Sequence, residues 1–135
     1  GSKTLTRWGA MIEASKKVKP WRTDVKEAAL ECYSSGALNL PVKAEIEFVF
    51  PRPKSHYGTG KNADILKPSA PKFCTSRGNG DIDKLSRSTL DGLSVSAGGS
   101  VLEDDSLVVE LNTKKRYINK DELPGAYIAI SSICD

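Results

Sequence analysis

Apolar and polar side chains alternate most regularly over residues 42–50. Every second position there is apolar, and the members are Val42, Ala44, Ile46, Phe48 and Phe50. This period of two predicts a strand with one buried and one exposed face. Weaker patterns predict further strands over residues 8–14, 105–113 and 125–133.

Two stretches have apolar residues spaced three and four apart, which is the spacing of one helix face. They cover residues 23–34, which end before Gly36, and residues 82–96. The face of the second consists of Ile82, Leu85, Ser86, Thr89, Leu90 and Leu93. Together the patterns predict one α+β domain, with the second helix packed on a mixed sheet of about four strands.

Residues 51–79 form a long connection with little periodicity and many basic side chains. Loops of this length in compact domains usually have a function or are disordered. The basic side chains could follow a DNA phosphate backbone, with Tyr57 or Phe73 stacking on bases. The alternative is a flexible, solvated loop. The candidate DNA contacts are Arg52, Lys54, Lys61, Lys67, Lys72 and Arg77.

Composition is that of a globular protein, with 135 residues, 39% hydrophobic side chains, 27% charged side chains and a formal net charge of +3. This length predicts a single domain over residues 1–135. No apolar run approaches the roughly 18 residues of a membrane span, and no leader pattern is present, so a cytoplasmic protein is expected. The three cysteines form no C-x-x-C motif, so neither a disulfide framework nor a zinc site is predicted.

Other catalytic patterns are weak. The chain has no G-x-x-x-x-G-K-[ST] motif, so no nucleotide cofactor is expected. His56 is the only histidine, and a solvated loop position is favoured over a role as base or metal ligand. Trp21 is favoured as a core residue over a stacking residue.

Acidic side chains concentrate on both sides of the second predicted helix, at Asp81 and Asp83 and at residues 103–105. Asp81 and Asp83 converge only if Asp81 is still extended when the helix begins, which Gly80 permits. One carboxylate at a helix start could be a cap. Several carboxylates brought together repel one another unless a cation lies among them, so the pattern favours a metal site.

The strand predicted over residues 105–113 distinguishes two neighbouring aspartates. Val109 and Leu111 share its apolar face, and Asp105 is in phase with them, whereas Asp104 is in phase with the polar face. If the helix covers the apolar face, Asp105 lies nearer Asp83. Asp105 is therefore favoured as the third carboxylate, with Asp104 as the alternative metal ligand.

The order of these motifs resembles that of the RusA family of Holliday junction resolvases over residues 79–130. The segments that carry the resemblance are Asp81-Ile82-Asp83-Lys84-Leu85, Leu90-Asp91-Gly92-Leu93, Val101 to Leu111, Lys114-Lys115-Arg116-Tyr117 and Pro124-Gly125. The D-x-D pair alone is common in unrelated proteins, but the ordered combination is specific. The starting Gly-Ser-Lys is similar to a loop that follows the first strand in phage members, which would mean that a first strand is missing; the alternatives are that Gly1-Ser2 is a scar of tag removal or is native.

The resemblance implies a small homodimeric endonuclease that nicks four-way DNA junctions in pairs during recombination and repair, in a bacterium or a phage-infected host cell. It implies magnesium as the cofactor, with manganese as a substitute, and it assigns the catalytic carboxylates to Asp81, Asp83 and Asp105. The family's supporting lysine falls on Arg87, which keeps the charge but cannot donate a proton at neutral pH. Arg87 could stabilise a phosphate or pair with Asp83 or Asp91. The basic cluster adds Lys114 as a DNA contact.

Two other functions fit the same residues. One is a metal-dependent nuclease for other branched or single-stranded DNA. The other is a non-catalytic DNA-binding module in which the acidic residues cap a helix and bind a structural cation. Neither a membrane nor a nucleotide is expected as a partner of any of the three.

Overall fold

The computed structural model describes residues 7–13, 21–33, 36–99 and 101–133. The main elements are β1 Arg7–Glu13, α1 Trp21–Cys32, β2 Val42–Phe50, α2 Ile82–Leu93, β3 Val108–Tyr117 and β4 Gly125–Ser132. These four strands and two helices confirm the predicted α+β fold. Within these ranges, no helix combines the length and the apolarity needed to cross a membrane. The Gly-Ser-Lys start and the basic stretch before Trp21 lie outside the described residues.

The four strands form one mixed sheet in the order β1-β4-β2-β3. β4 runs antiparallel to β1 and β2, whereas β3 runs parallel to β2. Two neighbouring parallel strands need a long connection that brings the chain back to the end of the sheet where it started. Here that connection contains the basic loop, α2 and the acidic turn, so the predicted site residues all lie in it or on β3.

Both helices pack on one face of the sheet and enclose the core. Its fully buried members include Val25, Ala29, Val42, Ala44, Ile46, Phe48, Leu93, Ala126, Ile128 and Ile130. The helices approach each other so closely that a Cβ on Gly92 would lie 2.8 Å from the Val25 side chain. Trp21 packs against this core and donates a hydrogen bond from Nε1 to Thr89 Oγ1 at 2.9 Å, which confirms its predicted position.

The second helix begins at Ile82 as predicted, but it ends at Leu93 and not at residue 96. Ser94 leaves the helix with extended backbone angles (φ −93°, ψ 130°), and its hydroxyl donates to the carbonyl of Leu90 at 2.7 Å. One 3₁₀ turn, Val95–Ala97, follows. The predicted buried stripe is confirmed, because the side chains along it are buried or packed against the core.

The third strand begins and ends later than predicted. Residues Asp105–Leu107 form a 3₁₀ turn, and the strand runs over Val108–Tyr117 instead of residues 105–113. Its register follows β2, whose last residue Phe50 pairs with Tyr117. Pairing with β2 therefore sets the boundaries of this strand. The local alternation of apolar and polar side chains does not predict them.

The predicted burial of the third strand is also wrong. Val109 and Leu111 are 63% and 43% exposed. β3 lies at the edge of the sheet beside β2, and the buried strand residues of the core come from β2 and β4. The alternation of side chains along β3 therefore does not predict a buried position for the residues near Asp105.

The connection over residues 51–79 is more structured than a flexible loop. It contains the 3₁₀ turns Lys54–His56, Gly60–Asn62 and Arg77–Asn79. Backbone N–H groups of Gly58 and Lys67 donate to the carbonyls of Ile65 and His56 and close a small antiparallel bridge. The Cys74 side chain is buried and accepts a hydrogen bond from Asn79 Nδ2 at 3.1 Å.

Candidate active site

The acidic pair lies at the start of α2, where the backbone enters the helix through Gly80. Gly80 has φ +84° and ψ 170°, a conformation that favours glycine and confirms its predicted role in the turn. Asp81 is still extended (φ −87°, ψ 140°) and occupies the N-cap position. Its side chain makes no capping hydrogen bond. The capping interpretation of this aspartate is therefore not supported, although its position is that of a cap.

Asp83 lies in the first helical turn, where the helix dipole favours a carboxylate. Asp81 and Asp83 are both exposed. Lys84 Nζ lies 3.6 Å from Asp81 Oδ2, but both side chains are more than two-thirds exposed, so this surface pair leaves the carboxylate accessible. The two carboxylates are therefore available to a ligand from solvent.

Arg87 lies one turn further along the same helix and is exposed. Among the described residues, no carboxylate lies within ion-pair distance of its guanidinium, so the expected alternative of a pair with Asp83 or Asp91 does not form. The guanidinium of Arg87, on the helix that carries the acidic pair, thus has no ion pair with any carboxylate of the described residues.

The two aspartates after the helix have different surroundings. Asp104 caps the turn Asp105–Leu107: it accepts hydrogen bonds from Ser106 N at 3.1 Å and Ser96 Oγ at 2.6 Å. Hydrogen bonds from Ser106 and Ser96 lower the pKa of the Asp104 carboxyl to about 2. Asp105 is exposed. Asp105 thus keeps its carboxylate accessible, whereas Asp104 stabilises the turn.

The turn that carries Asp105 contacts α2. However, no three acidic, histidine or cysteine side chains in the described part of the chain lie close enough to form a metal-binding group. Magnesium usually binds one or two carboxylates and completes its octahedron with water and substrate phosphate oxygens. The exposed pair Asp81 and Asp83 fits that requirement without a third protein ligand.

Arg52, predicted to contact DNA, is an anchor of the basic loop. Its guanidinium carbon lies 4.3 Å from the centre of the Tyr117 ring, and its Nη1 donates to the Pro71 carbonyl at 2.6 Å. His56 packs edge-on against Tyr117, with 5.3 Å between the ring centres, and its Nδ1 lies 3.3 Å from Arg52 Nη1. His56 is therefore half-buried, and its predicted solvated position is wrong.

The remaining basic side chains of the loop are exposed. They are Lys54, Lys61, Lys67, Lys72 and Arg77. Phe73, a predicted stacking residue, is 69% exposed, and Lys72 Nζ lies 5.5 Å from its ring centre. Tyr57 is half-buried beside the bridge to Leu66. The loop thus presents several cations and one exposed aromatic ring to solvent on a hydrogen-bonded frame.

The connection between β2 and β3 thus carries an acidic pair at a helix start, an accessible arginine and a basic loop. The family model described as endodeoxyribonuclease RusA matches residues 2–131, nearly the whole chain. The chain belongs to the RusA family. It is therefore a crossover junction endodeoxyribonuclease, and the resemblance noted from its motifs is confirmed. A search of curated proteins found no match.

The basic cluster of this RusA-family protein is divided between the two faces of the sheet. Lys114 lies on the face away from the helices, and its Nζ is 3.6 Å from Glu47. Arg116 on the same face contacts Glu47 and forms a bidentate pair with Glu122 at 2.6 Å. Arg116 and the backbone N–H of Asn119 lower the pKa of Glu122 to about 2. These charges pair with one another on the face opposite the acidic pair.

Lys115 lies on the other face and was not among the predicted site residues. Its Nζ donates a hydrogen bond of 2.8 Å to the Gly80 carbonyl, directly before Asp81. The feature of the sequence that could have indicated this position is the spacing of two residues between Lys115 and Tyr117. Residues two apart on a strand share a face, and Tyr117 is buried. The faces of Lys114 and Lys115 depend on the pairing register of β3 with β2, which the sequence alone does not contain.

Proposed function

We propose that this RusA-family endonuclease resolves four-way DNA junctions by paired nicks that depend on magnesium. The observation that carries the proposal is an accessible carboxylate pair whose N-terminal member occupies a cap position without capping. The proposed catalytic residues are Asp81, Asp83 and Arg87, and Asp105 is the proposed third carboxylate.

Asp81 and Asp83 would hold the metal ion, and Asp105 would approach it from the turn that contacts α2. When bound, magnesium supplies an activated water and offsets negative charge on the phosphate. The protein's contribution is to keep these carboxylates ionised, accessible and close to the scissile phosphate. Manganese, which accepts the same oxygen ligands, is the proposed substitute.

Arg87 is proposed to bind the phosphate oxygens as their negative charge increases. A guanidinium presents several donors in a fixed plane and remains charged at neutral pH, so it suits phosphate recognition but not proton donation. Its lack of an ion pair among the described carboxylates supports this role.

The acting species is proposed to be a homodimer. A four-way junction has two symmetry-related strands to cut, and a two-fold dimer presents two copies of one site in matching orientation. Each protomer would then cut one strand.

The test is cleavage of a synthetic four-way junction, a linear duplex and a single strand, each with and without magnesium. We expect symmetrically related nicks in the junction alone, and only with metal. Equal cleavage of the single strand would favour the broader nuclease. Junction binding without cleavage in magnesium or manganese would favour the non-catalytic DNA-binding module and contradict the proposal.

The basic loop is proposed to bind the DNA backbone. Replacing Lys54, Lys61 and Lys67 together with glutamine should weaken junction binding and reduce the salt dependence of log K by roughly 0.9 for each phosphate that the protein no longer neutralises. The cleavage rate at saturating junction should change little, because these lysines lie outside the acidic pair. Fluorescence anisotropy at several salt concentrations measures the slope.

A matched control replaces Lys26, Lys43 and Lys120, which lie outside the loop. Lys26 is exposed on α1, and Lys43 forms an ion pair with Glu110 on the outer sheet face. The control variant should keep the wild-type slope. An unchanged slope in the loop variant, or an equal change in both, would make the loop a scaffold element only.

A further inference from the structure

We propose that Lys115 is a positioning residue that fixes the backbone before Asp81 and thereby the geometry of the carboxylate pair. This inference rests on the proposed function, because it assumes that Asp81 and Asp83 act on the phosphate. It adds a residue from β3, a different element from the helix that carries those aspartates.

Strand alternation separates Lys115 from its neighbours. Adjacent side chains of a strand point to opposite faces of the sheet. Lys114 pairs with Glu47 on the outer face, whereas Lys115 reaches α2 and donates to the Gly80 carbonyl. Lys115 shares this inner face with Thr113, which lies two residues earlier on β3. The lysine is therefore directed at the start of α2 by the register of the sheet.

Gly80 is the point at which the backbone turns into the helix. Its positive φ is a backbone conformation that glycine adopts readily and other residues rarely adopt. The Gly80 N–H bonds to the Arg77 carbonyl at 3.1 Å, and its own carbonyl accepts from Lys115. Asp81, the next residue, makes no capping hydrogen bond with its side chain. Lys115 thus supports the backbone directly before Asp81 from another element, whereas the carboxylate itself has only a surface ion pair with Lys84.

A second hydrogen bond connects β3 to α2. Ser86 Oγ lies 3.1 Å from Thr113 Oγ1 and 2.7 Å from the Ile82 carbonyl. β3 therefore contacts Gly80, directly before Asp81, and also Ser86 of α2, after Asp83. The Thr113 contact fixes the helix, and the Lys115 contact fixes the residue that precedes it.

The charge of Lys115 is not neutralised within the described structure. No carboxylate of the described residues lies within 4.0 Å of its Nζ, in contrast to Lys114 and Arg116. One donor of the ammonium group is used on Gly80, and two remain. The same side chain thus places an unpaired cation beside the segment that leads to the acidic pair.

The experiment compares Lys115→Met, Lys115→Arg and the control Lys43→Met, which removes a lysine from the outer face of the neighbouring strand β2. Lys115→Met should lower the cleavage rate at saturating junction by about 10- to 100-fold, the range seen when a residue that orients a ligand is removed. Junction affinity should change less than about 3-fold, because at most one cation near the phosphates is removed. Lys115→Arg, which keeps the positive charge and the donors, should recover most of the rate, and Lys43→Met should retain it.

A readout independent of cleavage follows the backbone directly. Amide hydrogen exchange at Gly80 and Asp81, measured by NMR without metal, should accelerate in Lys115→Met and not in Lys43→Met. If Lys115→Met lacks a cooperative thermal transition, Lys115→Gln replaces it in the same assays. Wild-type cleavage and wild-type exchange in the Lys115 variants would overturn the inference.

Failure of this inference can be distinguished from failure of the proposed site. If Asp81→Asn abolishes cleavage while Lys115→Met cleaves normally, the site stands and Lys115 has no part in it. If Asp81→Asn cleaves normally, the proposed function itself is wrong. In the double variant Asp81→Asn with Lys115→Met, the rate should equal that of Asp81→Asn alone, since both act on one element.

Discussion

Asp81→Asn and Asp83→Asn are each expected to reduce cleavage of a four-way junction by about 100-fold or more, because the several kcal/mol of transition-state stabilisation from a held metal ion corresponds to at least that factor. Junction binding should be unchanged or tighter, since a negative charge near the phosphates is removed. Single-turnover cleavage at saturating enzyme and anisotropy without metal measure the two quantities separately.

Asp91→Asn is the matched control, because it makes the same change on the same helix. Asp91 lies ten residues after Asp81, which corresponds to about 15 Å along an α-helix. Its cleavage rate should stay close to that of the wild type. Wild-type turnover in Asp81→Asn or Asp83→Asn would remove that residue from the site, and a large loss in Asp91→Asn would show that helix charge alone explains the effect.

The same assay extends to the two later aspartates. Asp105→Asn should reduce cleavage without lowering Tm, because its carboxylate is exposed and caps nothing in the described structure. Asp104→Asn should lower Tm by a few degrees because the turn loses its cap, with a smaller effect on the cleavage rate. The opposite order of effects on cleavage would make Asp104 the third carboxylate.

Arg87→Met is expected to lower the cleavage rate by about 100-fold, the effect of removing one donor that binds developing negative charge. Affinity for the uncleaved junction should fall far less, because the interaction strengthens mainly in the transition state. Arg87→Lys should recover part of the rate, since charge is kept but the planar pair of donors is absent. The measurement is the rate at saturating junction beside the dissociation constant.

Arg22→Met, on α1, serves as the control for removal of a surface arginine. Arg22 is exposed and lies on the helix without the acidic pair. Its rate should remain near that of the wild type. Equal losses of affinity and rate in Arg87→Met would mean that Arg87 binds DNA uniformly and does not act in the chemical step.

Local patterns predicted the parts of this fold that depend on one element at a time. β2 follows the alternation from Val42 to Phe50 because Val42, Ala44, Ile46 and Phe48 on its inner face are buried and Phe50 packs against the core. α2 begins at Ile82 because Gly80 and an extended Asp81 precede its apolar stripe. In both cases the pattern of apolar and polar residues in a single segment is sufficient to predict the element.

The remaining errors concern interactions between segments. β3 starts at Val108 because pairing with β2 sets its register, and a shift of one residue exchanges the faces of all its side chains. That register directs Lys115, and not Lys114, toward Gly80. The contact of Arg52 with the ring of Tyr117, which is far away in sequence, could not be predicted from a local pattern either.

The parallel pairing of β2 with β3 has a further consequence for how this protein can diversify. The crossover between them carries the basic loop and the acidic pair, whereas β1, β4 and α1 lie outside it. Doubling the length of a flexible loop costs only about 0.6 kcal/mol of closure entropy. The exposed loop of the crossover can therefore change in length at a small cost in free energy, while α2 and the residues around Leu102 continue to supply the core.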